Sequence, residues 1–425
     1  MTRSIIPEES QGAPVTRPRR RDRWARKLVL GQLEQLKWGE VTLVEGSERR
    51  TFGGNGNDAP RVTVTIHSPR FFSAVAFRGS LGAAEAFMAG EWSSDDLPGV
   101  IRIMVRNRAV LENVEGGWAR LIAPAQRLWH WFRRNTKTGS RENIAAHYDL
   151  GNDFYELFLD ETLTYSCAVF ERPNATLAEA SRAKYDRVCR KLRLSKGDHV
   201  IEIGSGWGGF AIHAAQRYGC RVTTTTISQE QYNLAQKRVD AAGLAEHVEL
   251  RLDDYRDLSG CYDKLVSIEM IEAVGPQYLD TFFRCCCNLL KPEGMMALQA
   301  ITITDQLYAR HLRTVDLIKR FIFPGSTLTS VTSLCASATR ATDLRLVHME
   351  DITPHYATTL RMWRERFLAR LDDVRAMGFP ESFLRMWEYY LAYCEGAFAE
   401  RYIGDVQMVF AKPLCRAAPI LATLA

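Results

Sequence analysis

A chain of 425 residues, 46% of them hydrophobic, marks a globular protein with core enough for a large α/β domain and a smaller companion. Its 10 cysteines form no C-x-x-C pair and lack the dense spacing of a secreted scaffold; no apolar run reaches roughly 18 residues, and no cleavable apolar segment is legible near the N-terminus. A reducing cytoplasm is therefore expected, with secretion and membrane integration excluded, and the modest net charge of +5 is unevenly placed.

Residues 1–23 are polar and rich in proline and arginine, and disorder is expected there. Arg17, Arg19, Arg20, Arg21, Arg23, Arg26 and Lys27 are opposed only by Asp22. Residues 24–117 mix short strands such as "RVTVTIHS" with the helical stretch "LGAAEAFMAGEW", the pattern of a small α+β domain. A linker over 118–143 then interleaves Trp118, Trp129 and Trp131 with Arg120, Arg127, Arg133, Arg134, Lys137 and Arg141. Tryptophan among cations suits an anionic membrane surface, where indole sits at headgroup level and each nearby cation contributes roughly 1 kcal/mol. Nucleic acid would account for the charge equally well, and a solvated helix is the plain alternative.

The remainder, 144–415, reads as the main domain. From residue 199 strands and helices alternate: "HVIEIG", the helical "GGFAIHAAQRY", "RVTTTTIS", the helical "QEQYNLAQKRVDAAG", "HVELRLDD", "DKLVSIEM", the helical "QYLDTFFRCCCNLLK" and "GMMALQAITI". That rhythm predicts a parallel sheet covered on both faces. "LRLVHMEDI" and "DVQMVFAKP" complete seven strands, and a helical insertion over about 356–404, broken at Gly378-Phe379-Pro380, is expected to cap one edge of the sheet.

The turn after the first strand, "VIEIGSGWGGF", places Gly204, Gly206 and Gly209 at the dinucleotide spacing G-x-G-x-x-G. A dinucleotide site also needs an acidic residue about 20 positions on, for the ribose. Here the second strand runs into "TTTTISQEQ" with no carboxylate before Glu230. What the chain offers instead is Glu202 ahead of the turn, to anchor it or meet the amino-acid part of a cofactor, and Asp253-Asp254 after the third strand, with Asp254 placed to accept from an adenine amino group. This pattern suits S-adenosylmethionine, which carries no phosphate.

The chain resembles the cyclopropane-fatty-acyl-phospholipid synthase family, which includes the mycolic acid cyclopropane synthases. The likeness rests on "AAHYDLGNDFYELFLDETLTYSCAVFE", "VIEIGSGWGGFAIHAA", "TTISQEQ", "DDYRDL", "EMIEAVG", "FIFPGS" and "HYATTLRMWRERF", in family order from about 144 to 411, and "HSPRFFSAVAFRGSLGAAEAFMAGEW" is similar to the small N-terminal domain of the longer synthases. It implies a class I S-adenosylmethionine-dependent methyltransferase fold, Rossmann-like, with a mostly parallel seven-stranded sheet. The implied activity is methyl transfer to a cis double bond in an unsaturated membrane phospholipid, giving a cyclopropane fatty acid, by an enzyme peripheral to the inner membrane face and without a nucleic acid partner. The small domain is left open to membrane docking or to pairing in a homodimer.

An alkene is a poor nucleophile, so such a site needs an aligned sulfonium, a dry pocket and a base for the proton then lost. The resemblance makes that base a bound bicarbonate, caged by Cys167, Glu272, Tyr356 and the backbone near Ile301. By the same likeness the cofactor meets Tyr165, Ser166, Gly204, Gly206, Thr226, Ile227 and Gln231, with Asp254 and Tyr255 near the adenine. Two departures stand out. Gln299 occupies a position where many members carry histidine, so it can donate to an anion but cannot titrate, and Ala273 likewise replaces a histidine. They leave two other outcomes open, a methylene- or methyl-branched chain or a non-catalytic lipid-binding homologue. A dinucleotide-dependent oxidoreductase is the reading from another class, weakened by Glu202 and the missing ribose acid. His147 and Tyr148 are candidates for ordering the turn over the cofactor, Glu269 for pairing with an arginine, and Cys285, Cys286 and Cys287 for packing.

Overall fold

The computed structural model describes residues 19–56, 58–108, 150–418 and 420. The 118–143 linker, His147 and Tyr148 lie outside these residues. Two compact units divide the chain: one takes Met1–Phe132, Thr314–Ile322 and Leu360–Tyr402, the other Arg133–Arg313, Phe323–Thr359 and Ile403–Ala425.

The first unit opens with helix α1 (Arg20–Leu33), which begins inside the stretch expected to be disordered. The reason is Asp22. Its carboxylate accepts from the Arg19 backbone N–H at 3.0 Å and from Ser73 Oγ, capping the helix from a buried position. A four-stranded sheet follows in the order β2-β1-β3-β4, built from β1 (Gly39–Glu45), β2 (Glu48–Asn55), β3 (Arg61–Ile66) and β4 (Trp92–Ser94). Along β3 the alternation of "RVTVTI" buries Val62, Val64 and Ile66 on one face. Helix α2 (Arg70–Met88) kinks at Gly79, where φ is 57°, and α3 (Leu97–Arg106) is capped by Asp96 accepting from Gly99 N.

The helices of the insertion, from Leu360 to Tyr402, belong to this first unit. The helix Glu381–Ala399 presents Tyr389 to Phe87 (5.4 Å between rings) and Trp92 (6.3 Å), while Gly396 lets Ile101 approach so closely that a Cβ would lie 2.8 Å from it. Arg102 and Arg106 both reach the Glu400 carboxylate, at 2.7 and 2.5 Å. Aromatic packing and a shared carboxylate thus join segments about 300 residues apart.

The second unit carries the seven-stranded sheet, ordered β10-β11-β9-β8-β5-β6-β7. Its members are β5 (His199–Ile203), β6 (Arg221–Thr225), β7 (Val248–Arg251), β8 (Tyr262–Ile268), β9 (Leu290–Ile303), β10 (Arg345–Asp351) and β11 (Ile403–Ala411). β5 through β9 run parallel, and β11 pairs antiparallel with both β9 and β10. The fold is therefore the mostly parallel α/β class expected. Both faces are dry: Val200, Val222 and Val266 pack into one core, Ile201, Leu265 and Met296 into the other. Cys286 and Cys287 are buried in the helix Leu279–Leu289, and no group of ligating side chains fit to hold a metal occurs among the described residues. The chain runs from β5 outward to β6 and β7, then returns to β8 on the other side. This order reverses between β5 and β8, the switch point at which open α/β sheets bind their ligands.

Candidate active site

The glycine turn lies at that switch point. Gly204 and Ser205 donate their N–H groups to Thr225 O at 3.0 and 2.8 Å, tying the turn to β6. Gly204 has φ 98° and Gly206 φ 49°, conformations that cost a side-chain-bearing residue about 1 kcal/mol or more. Their surroundings differ. A Cβ on Gly204 would lie 3.1 Å from Met270, and one on Gly209 2.5 Å from Tyr185 Oη, whereas one on Gly206 would meet nothing within 4 Å. The turn is packed from behind and open at Gly206, as a cradle for a bound molecule must be.

Around it stand the other residues expected at the cofactor. Glu202 is 2% exposed and accepts from Thr224 Oγ1 at 2.6 Å, so it is held within the sheet beneath the turn. Burial pushes its carboxyl up to about 8 against the opposing pull of the Thr224 hydroxyl and the Lys184 cation. Thr226, just past β6, donates to Gln231 Oε1 at 2.9 Å, and Ser228 caps the next helix by accepting from Gln231 N, with Ile227 half-buried between them. Asp254 is buried beyond β7, gripped by Arg256 at 2.7 and 2.6 Å, and Tyr255 packs edge-on against Phe282. Ser166 accepts from the buried Lys184 Nζ at 2.7 Å, while Tyr165 lies 5.4 Å from the Tyr155 ring and 6.3 Å from Phe323.

The proposed chemistry depends on a second cluster at the end of β8. Glu269 has φ 48°, a left-handed backbone unusual for a side chain of its size. Its Oε1 accepts from Cys167 N at 2.7 Å and from Gln299 Nε2 at 2.7 Å, and its Oε2 from Tyr356 Oη at 2.6 Å. Sequence reasoning paired this carboxylate with an arginine; its partners in the structure include these three donors and the Asp405 side chain. The one legible signal was its place immediately after an apolar strand.

Gln299 owes its orientation to a chain of bonds. Lys191 Nζ can only donate and takes Gln407 Oε1 at 2.6 Å, which turns Gln407 Nε2 toward Gln299 Oε1 at 3.0 Å. The Gln299 amide nitrogen must then face Glu269 and Asp405 Oδ2, the latter at 3.1 Å. Gln299 and Gln407 are register partners across β9 and β11, so the pairing of two strands aims the amide.

Glu272 sits in a short turn, Ile271–Ala273, and its Oε1 accepts from Ile301 N at 2.6 Å while its buried Oε2 has no partner. Burial pushes this carboxyl up to about 8, and the Glu269 charge acts in the same direction. Asp405, fully buried, is held well above the usual carboxylate range by burial, by the charge of Glu269 and a side-chain hydrogen bond to it, and by the charge of Glu272. Burial likewise pushes the Cys167 thiol up, so it stays neutral, its Sγ 3.2 Å from Ala168 O. Lys184 is pushed down to about 8 by burial. Sequence reasoning missed Lys184, Asp405 and Gln407: each is a polar residue inside an otherwise regular element, indistinguishable locally from a solvated one.

The structure thus brings Tyr356, Gln299, Cys167, Ile301 and Glu272 into one cluster with Glu269, with the donors already engaged. Tyr356 and Gln299 serve Glu269, and Ile301 N serves Glu272. Between two resident carboxyls with these donors occupied, the residues present do not fit a bound bicarbonate.

Comparison with known proteins gives a consistent answer. A family model described as mycolic acid cyclopropane synthetase matches residues 135–408. The tuberculostearic acid methyltransferase of Mycobacterium tuberculosis is 43% identical over 353 residues, 80% of this chain and 81% of that protein. The cyclopropane-fatty-acyl-phospholipid synthase of Escherichia coli K12 is 35% identical over 360 residues, 84% and 89% respectively. Among solved structures, a mycolic acid cyclopropane synthase complexed with SAH and CTAB superposes with a TM-score of 0.60 at 32% identity, over 64% of this chain and 98% of that one.

Proposed function

The chain belongs to the mycolic acid cyclopropane synthetase family and is an S-adenosylmethionine-dependent methyltransferase, and from that premise we propose that it methylates a cis double bond in an acyl chain of a membrane phospholipid. The observation that carries the proposal is the buried carboxyl cluster beside the glycine turn. A site that generates positive charge on a hydrocarbon needs water kept out, and Cys167, Gln299 and Asp405 are all fully or almost fully buried.

S-adenosylmethionine supplies an electrophilic methyl group. The chain's residues do the rest: the turn at Gly204 and Gly206, Glu202, Tyr165 and Ser166 hold the methyl donor near β5, Thr226, Ile227 and Gln231 border it from β6, and Asp254 and Tyr255 receive its adenine. Arg256 holds the Asp254 carboxylate in place for that contact. Cys167, Glu272, Gln299, Ile301 and Tyr356 form the side of the site that faces the reacting carbons.

Ring closure to a cyclopropane is the first reading of the product. A branched chain is the second, favoured by Gln299 in place of a titratable group and by the similarity to a tuberculostearic acid methyltransferase. Membrane association is supported by α1, which exposes Trp24 (49%) and Leu28 (42%) one turn apart among the exposed Arg20, Arg21, Arg23 and Lys27. No helix among the described residues is long and apolar enough to cross a membrane, so the reading is of peripheral attachment.

The test is incubation of the purified protein with S-adenosylmethionine and vesicles of a cis-unsaturated phospholipid, followed by gas chromatography and mass spectrometry of the released fatty acids. A product heavier by one CH₂ supports the proposal, and its resistance to hydrogenation separates ring from methylene branch. Intact cofactor binding with no mass change across several phospholipids defeats it.

A further inference from the structure

Methyl addition to an alkene leaves a proton to be removed, and four carboxyls lie in this part of the fold: Glu202, Glu269, Glu272 and Asp405. Their surroundings sort them. Glu202 is held within the sheet by Thr224, and Asp405 is fully buried beside Gln299. Glu272 is buried against Ile301 N. Glu269 alone of the four retains partial exposure, which leaves it the one a substrate can approach.

Its partners tie this carboxylate to the rest of the cluster: Oε1 accepts from Cys167 N and Gln299 Nε2, Oε2 accepts from Tyr356 Oη, and the Asp405 carboxyl is hydrogen-bonded to the same side chain. The donors that hold this carboxylate include the residues expected to cage a bicarbonate, so the side chain stands where a diffusible anion would have to bind. Its left-handed backbone is a cost the chain bears in placing it there.

We infer that the Glu269 carboxylate, in place of a bound bicarbonate, is the base that takes the proton released after methyl transfer. The inference rests on the methyl-transfer reading above. In the first step the sulfonium C–S bond breaks with its electron pair left on sulfur, and the alkene π pair forms the new C–C bond, leaving the neighbouring carbon electron-deficient. In the second, a nearby C–H bond breaks and the proton passes to the Glu269 carboxylate. The released pair closes a three-membered ring when the hydrogen comes from the incoming methyl, or forms a C=C bond when it comes from another neighbour. A sulfonium and a carboxylate become a thioether and a carboxylic acid, so charge balances, and the acid returns its proton to water before the next turnover.

The experiment compares turnover on cis-unsaturated phosphatidylglycerol vesicles in buffer stripped of carbon dioxide and in the same buffer with added bicarbonate, for the wild type, Glu269→Gly and Glu269→Gln. Glycine accepts φ 48° without strain, so the first variant relaxes the backbone and empties the anion position, while the second keeps the shape and removes the basic oxygen. Binding of S-adenosylhomocysteine by calorimetry verifies that each variant is folded. The expected result is a wild-type rate equal in both buffers, a fall of about 100-fold in both variants in stripped buffer, and recovery by bicarbonate in Glu269→Gly alone. A wild-type rate that collapses in stripped buffer and returns with bicarbonate overturns the inference while leaving the methyl-transfer reading intact, as does a folded Glu269→Gln with wild-type turnover. Absence of wild-type turnover in both buffers overturns the methyl-transfer reading and this inference with it.

Discussion

Tyr356 Oη donates to Glu269 Oε2 at 2.6 Å, joining the start of one helix to the end of a strand 87 residues earlier. Tyr356 is itself buried, so the bond is made away from bulk water, where a hydrogen bond to a charged group contributes about 1.5–3 kcal/mol. Tyr356→Phe is expected to lower kcat by roughly 10- to 100-fold with little change in S-adenosylhomocysteine affinity. Initial rates beside calorimetric titration measure the two effects separately, and a loss of affinity with kcat preserved would mean that the tyrosine serves the cofactor.

Gln299 ties β9 to β11 through Gln407 and to the site through Glu269. Gln299→Leu keeps the approximate volume but strands Gln407 Nε2 and Asp405 Oδ2 in a dry interior. The expected cost is about 2 kcal/mol, read as a lower unfolding midpoint in thermal or urea denaturation. Adding Gln407→Leu restores much of that loss, because two apolar partners leave fewer polar groups unsatisfied; two losses that simply add would show the pair to be uncoupled.

The raised carboxyls have a consequence for stability. Glu272 titrates near 8 in the folded protein against a reference of 4.5. In that window the folded state holds the proton that the unfolded chain has released, so the contribution is fully present below about 4.5 and is lost as pH rises through 8. Glu202 acts in the same sense, whereas Lys184, pushed down to about 8, adds stability only as pH rises above that value. Glu272→Gln is therefore expected to gain stability relative to the wild type as pH rises from 5 to 8, by up to about 1.4 kcal/mol per pH unit. Urea denaturation of both proteins across that range gives the difference directly, and a pH-independent difference would show that Glu272 is ionised in the fold.

Trp24 and Leu28 stand exposed on α1 beside four exposed cations. Replacing both with alanine is expected to weaken binding to anionic vesicles by roughly tenfold, the order of effect of removing one or two buried apolar side chains from an interface. Binding of the wild type should also fall with salt, as screening shortens the reach of the arginines. Sedimentation with phosphatidylglycerol vesicles at two ionic strengths checks both, and unchanged binding by the double variant would move the docking surface elsewhere.

Much of this molecule could be read from consecutive residues. The alternation of apolar strands with amphipathic helices prescribes a parallel sheet, because each element states its own period and buried face locally. The glycines at 204, 206 and 209 announce a turn with unusual backbone angles, and the carboxylates at 202 and 254 argue for a cofactor without phosphate. The family motifs lie within single short segments, and so they too were visible.

What only the tertiary structure decided is which polar groups meet. Glu269 draws its donors from positions 102, 30 and 87 residues away, and nothing near it in the chain names them. Gln299 is aimed by a lysine on one helix acting through a glutamine on the last strand, a relation that exists only once β11 has inserted beside β9. The helices from Leu360 to Tyr402 join the N-terminal unit through aromatic and arginine contacts with segments about 300 residues earlier, which no local pattern could assign. Secondary structure is written in the period of neighbouring side chains, but a buried hydrogen bond is satisfied by whichever group the folded chain brings within 3 Å.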